Sequence, residues 1–164
     1  MNKCITIIVF FISSMAFSQV ALKGVELGGY SQYSEKITTV GGLPGKLVMD
    51  KMKNEKIWKI TFSSTKSYRS DDNKFDQIGF YNDLKELIQG IENNYIVPFD
   101  ADNISFEDFI EIRSVRFVTI KNGVEYVIST HMERKTSKEW ISFSLRSLRL
   151  DQINRNENPN KHDY

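Results

Sequence analysis

His131 is the first residue to weigh for chemistry. It stands in Thr130-His131-Met132-Glu133. An imidazole changes charge near neutrality, so it can serve as a general base if a carboxylate orients it and a hydroxyl lies beside it. Glu133 and Glu139 are the carboxylates close in sequence, and serines and threonines are plentiful. The chain has no Gly-x-Ser-x-Gly elbow to present a nucleophile. A hydrolase built on His131 with Glu133 or Glu139 is therefore the alternative reading, and a histidine at a strand end is the default.

Other chemistries fail on spacing. Zinc takes several His or Cys ligands, and the chain has 2 histidines, one of them His162 in the polar tail, and a single cysteine, Cys4. A phosphate-binding loop needs a glycine at position 40 and a hydroxyl at position 47, where the sequence has Val40 and Leu47. In the acidic stretch at 71–76, Asp71 and Asn73 fit a calcium loop, but Phe75 breaks the pattern and the turn glycine is missing. Glu107, Asp108 and Glu111 form a second acidic group that reads as a solvated face. No metal or cofactor is expected. Tyr68 and Arg69 differ in kind. Both residue types are enriched at binding hot spots, and they sit in the middle of Ser63–Asp76, a polar, aperiodic stretch long enough to be either functional or mobile.

Charge narrows the partners. The chain has 22 basic and 21 acidic residues, and a net charge of +1. A protein that tracks phosphates would carry a basic excess, so nucleic acid is not expected as a partner. The N-terminus reads as an export signal over residues 1–18. Lys3 precedes the apolar run Ile5–Ile12, and Ala16-Phe17-Ser18 supplies small residues at a cleavage site. The run is too short for a stable span, which needs about 20 apolar residues. Cys4 precedes it and would be removed with it. The expectation is a cysteine-free protein of the periplasm or the secreted fraction with no membrane span.

Several elements follow from pattern. Lys23 to Gly29 reads as a short strand, and Gly41 to Gly45 as a turn. Trp58, Ile60 and Phe62 alternate with polar residues, as in a strand with one covered face. Phe80, Leu84, Leu87, Ile88, Ile91 and Tyr95 follow helical spacing, predicting a helix over 80–93 with Asn82 as its cap. Ser105 with Asp108 suggests a short helical turn. Asn122-Gly123 between two β-rich runs predicts a two-residue hairpin that pairs Lys121 with Val124, Phe117 with Ile128 and Val115 with Thr130. A last strand starts near Glu139, with Ile141, Phe143 and Leu145 inward.

The sum is a single α+β domain over 19–151: an antiparallel sheet of six or seven strands against one main amphipathic helix, followed by a polar tail at 152–164. For function, the sequence favours an exported, non-enzymatic binding protein, with an envelope or extracellular protein or glycan as partner and Tyr68 and Arg69 as the binding residues.

Overall fold

In a computed structural model the described residues are 20–99, 105–107, 109, 114–133 and 138–158, with Met132 and Glu133 described by backbone alone. The export segment expected at 1–18, Asp108, Glu111 and His162 lie outside them. Among the described residues no helix is long and apolar enough to cross a membrane.

The fold is α+β. A small hairpin, β1 (Ala21–Leu22) and β2 (Val25–Glu26), precedes a six-stranded antiparallel sheet. The strands are β3 (Glu35–Val40), β4 (Leu43–Lys51), β5 (Ile57–Ser64), β6 (Arg116–Lys121), β7 (Val124–Glu133) and β8 (Lys138–Ser147). Their order across the sheet is β3-β4-β5-β8-β7-β6. Helix α1 (Gln77–Tyr95) joins the two halves, and α2 (Leu148–Glu157) follows β8 directly.

Period-two alternation assigns the faces. Leu47, Ile60, Phe62, Ile128, Ile141, Phe143 and Leu145 lie in register on one face, and each is fully enclosed. The buried stripe of α1, Phe80, Leu84, Leu87, Ile88 and Ile91, belongs to the same core. Each large apolar side chain so buried contributes about 2 kcal/mol. The hairpin at Asn122-Gly123 has the register expected from its turn, with Lys121 opposite Val124 and Phe117 opposite Ile128. Both turn residues have positive φ, 51° and 73°, which Asn and Gly tolerate.

Several local expectations change. Trp58 is not in the core. The pairing of Asp50 with Lys59 and Lys51 with Ile57 leaves Trp58 as the extra residue of a bulge, and Ile57 takes the inward place. Lys23 to Gly29 is not one strand, because Lys23 and Gly24, both at positive φ, form the turn between β1 and β2. The turn after β3 is Gly41-Gly42 alone; Leu43, Pro44 and Gly45 are already strand. Helix α1 begins before Asn82. Its cap is Asp76, whose carboxylate accepts from the Gly79 amide at 2.9 Å. The apolar period does not reveal this first turn, since Ile78 there faces solvent. The helical turn after Ser105 is present at Phe106, Glu107 and Phe109. Phe109 donates its amide to the Ser105 carbonyl and stacks on Phe80.

The stretch from 152, read as tail, is helical through Glu157. Ser147 caps α2 by accepting from the Leu150 amide, and α2 lies against β5 and β8. Asp151, almost fully buried, joins Arg146 at 3.2 Å and also reaches Arg155, while Arg146 holds Glu125 at 2.8 Å. This ionic network covers part of the outer sheet face and takes the place of an apolar stripe.

Candidate functional site

β5 and β8 pair from Lys59–Arg146 to Ser63–Ser142 and then separate. The cause is local. Ser64 offers its hydroxyl to the Ile141 amide at 3.0 Å, and Thr65 turns its own amide toward Pro44. A buried N–H deprived of its ladder partner must find another acceptor, and Ser64 supplies one. The chain then runs through 65–76 before α1, and the wedge between this segment and the start of β8 is a cleft of about 620 Å³.

The segment at 65–76 is ordered by side-chain anchors. Tyr68 is only 3% exposed. Its ring stands edge-on to Phe80, with centroids 4.7 Å apart, and its hydroxyl donates to Asp83 at 2.7 Å. Burial, with the Asp83 carboxylate second, pushes the phenol far above its usual range, so it stays a neutral donor. Asp83 also holds Lys66. Arg69 grips Glu139 in a two-point contact, Nε to Oε2 at 3.1 Å and one arm, Nη2, in a short contact to Oε1. Its remaining arm donates to the Asn73 carbonyl at 2.9 Å, and it lies over the Phe75 ring. Arg69 and Phe75 also form an isolated bridge. Tyr68 and Arg69, singled out as binding residues, thus both reach the cleft, and both are engaged by the protein itself.

The groups that face outward were not singled out. Lys46, Ser63 and Trp140 lie on the sheet face opposite the core, with Lys46 in register with Ser63. Lys66, Asn73 and Lys138 complete the rim. The lining holds four cationic side chains, Lys46, Lys66, Arg69 and Lys138, and one carboxylate, Glu139. Lys46 is paired with Glu35. Lys138, the Ser63 hydroxyl and the side-chain amide of Asn73 have no partner among the described residues. Strand alternation carries a signal for Trp140, which is out of phase with Ile141 and Phe143 and so must face away from the core.

His131 lies beside the cleft, opposite Trp140 in the β7–β8 register. The two rings stack with centroids 5.5 Å apart. Its Nε2 lies 2.9 Å from the Ser142 hydroxyl and 3.0 Å from that of Ser129, and the two hydroxyls are 3.0 Å apart. Glu139 is on the other sheet face, committed to Arg69, and so does not orient this imidazole. Glu133 stands opposite Lys138 in register, but its side chain is outside the described residues. The hydroxyls sit in strands paired by the β7–β8 ladder, whose amides are engaged there rather than directed at an oxyanion.

Of the carboxylates at 71–76, Asp76 caps α1 and Asp72 pairs with Lys74, which holds Asp72 below the usual range. Among the described residues no three His, Cys, Asp or Glu side chains are grouped to hold a metal.

Partial loss of water around His131 lowers its pKa below the usual 6.5. The unfolded chain then takes up the proton first as pH falls. The stabilising contribution is complete above 6.5 and is lost as pH falls through the folded value. Thermal melts of the wild type are expected to drop on acidification below 6.5 more than those of His131→Gln. Parallel melting curves from pH 7 to pH 5 would refute this.

No protein-family model matches the chain, and no curated protein or solved structure does so either.

Proposed function

We propose that the protein is an exported, non-enzymatic binding protein of the periplasm or secreted fraction, and that the cleft between 65–69 and the start of β8 is its recognition site. The observation that carries this reading is the preformed cleft itself. The segment that walls it is held from within by Tyr68 and Arg69, while the Lys138 ammonium, the Ser63 hydroxyl and the Asn73 side-chain amide have no partner among the described residues. A pocket that is rigid before the ligand arrives loses little entropy on binding. In this reading Tyr68 and Arg69 act by positioning the wall, and Trp140 with the rim cations makes the contacts.

An exported hydrolase using His131 is the second reading. The two hydroxyls near its Nε2 favour it, and the committed position of Glu139 weighs against it.

Capture experiments separate the two. The protein, immobilised, is expected to retain a component of its own envelope or culture fluid, and the Tyr68→Ala/Arg69→Ala variant to lose it. Equal retention by the variant would remove the cleft from consideration. Cleavage of a chromogenic ester that disappears in His131→Ala would replace the binding reading with the hydrolase.

A further inference from the structure

We propose that the ligand of this cleft is an acidic saccharide, a sugar chain bearing carboxylates of the uronic-acid kind. This inference rests on the cleft being the recognition site. Three features select the class.

The first is charge. Four cationic side chains and one carboxylate line a space of about 620 Å³; Arg69 is spent on that carboxylate and Lys66 is held by Asp83, which leaves Lys46 and Lys138 to meet a ligand. Lys138 has no partner among the described residues, and Lys46 is paired only with a half-exposed Glu35. An incoming carboxylate meets ammonium groups whose existing partners are weak, since exposed ion pairs contribute about 0–1 kcal/mol.

The second is the kind of apolar surface. Among the described residues no aliphatic side chain lines the cleft. Its apolar surface comes from aromatic rings, chiefly Trp140, and from lysine stems; Tyr68 is almost wholly covered. A flat indole packs against the C–H face of a sugar ring, and His131 supports it from the side by stacking. A peptide anchored by Leu or Ile would find no aliphatic pocket.

The third is hydrogen bonding. Ser63, Thr65, Ser67 and Asn73 surround the space with short polar side chains, suited to ring hydroxyls. The cleft opens where two inner strands part, away from the sheet edges β3 and β6. It therefore offers no long strand edge for a peptide to extend, which is the common route of peptide capture.

The test is calorimetric titration of the protein with oligogalacturonate, a neutral cello-oligosaccharide of equal length, and polyglutamate. Oligogalacturonate should bind about tenfold or more tightly than the neutral sugar, with an affinity that falls as salt screens the lysines. Trp140→Ala should weaken it about tenfold, Trp140→Phe should retain most of it, and Lys46→Ala/Lys138→Ala should weaken it about tenfold with less residual salt dependence. Thermal melts confirm that each variant is folded. Equal binding of the neutral sugar, lost in Trp140→Ala, would overturn the acidic class and leave the cleft as a binding site. Polyglutamate competing as well as oligogalacturonate would overturn the saccharide. Binding of none of the three would overturn the class outright, and capture from the envelope would then decide on the cleft.

Discussion

Gly45→Ala is expected to lower the unfolding free energy by about 3 kcal/mol, at the upper end of what one added methyl costs in a packed interior. Gly45 is buried in β4 opposite Ser64. A β-carbon there would lie 2.6 Å from Cζ of Phe62, and closer still to Cε2 of that ring and to the Ser63 carbonyl oxygen. The clash cannot be relieved by a flexible tip. Phe62 is fully enclosed and paired with Phe143, and the Ser63 carbonyl belongs to the backbone of a central strand. Either the β4–β5 spacing opens or the Phe62 ring leaves its place, and both disturb the centre of the core. Denaturant unfolding is the measurement. Gly42→Ala, at positive φ but with open space around its would-be side chain, carries only the backbone cost, about 1 kcal/mol. Equal losses in the two variants would mean that close approach at Gly45 is not what excludes a side chain.

The same residue shows what composition can mislead. Gly45 belongs to a cluster of glycine and proline that reads as one turn, yet two residues suffice for the hairpin and Gly45 serves packing. Nothing local distinguishes a glycine needed for its φ from one needed because a distant phenylalanine lies against it. Trp58 failed for a related reason. Alternation is a local rule, and a bulge shifts its phase by one through pairing with another strand. The Asn122-Gly123 hairpin was legible because turn chemistry and the apolar pattern fix the same register independently. The part of helix α2 from 152 was read as tail because the helix's buried positions are Asp151 and Asn154, and the network that permits this reaches back to Arg146 and Glu125. At the site, Tyr68 and Arg69 were visible as unusual residues in a polar stretch, but their partners Asp83 and Glu139 lie 15 and 70 residues away in sequence. Residue type drew attention to this segment, and the partners that anchor it beside the cleft needed the tertiary fold.

Arg69→Ala is expected to cost about 2 kcal/mol of stability and to weaken any ligand of the cleft about tenfold or more. Glu139 has a side chain only 8% exposed, and Arg69 one 23% exposed. Removing the guanidinium leaves a carboxylate largely shielded from water with no compensating charge, and the cost of that isolated charge dominates the loss. The Asn73 carbonyl loses its donor and the Phe75 ring its cation at the same time. The wall at 65–76 then depends on Tyr68 and on the ends of the segment, so its amides should exchange faster with solvent deuterium while those of β5 and β8 stay protected. Arg69→Lys should recover part of the stability, because an ammonium restores the charge but cannot grip both carboxylate oxygens and reach Asn73 together. The double variant Arg69→Ala/Glu139→Ala should be more stable than Arg69→Ala alone, since no unpaired charge remains, and a double-mutant cycle measures that coupling. Strictly additive losses would mean that the segment is held independently of this ion pair, and the preformed wall on which the proposed binding site depends would lose its physical basis.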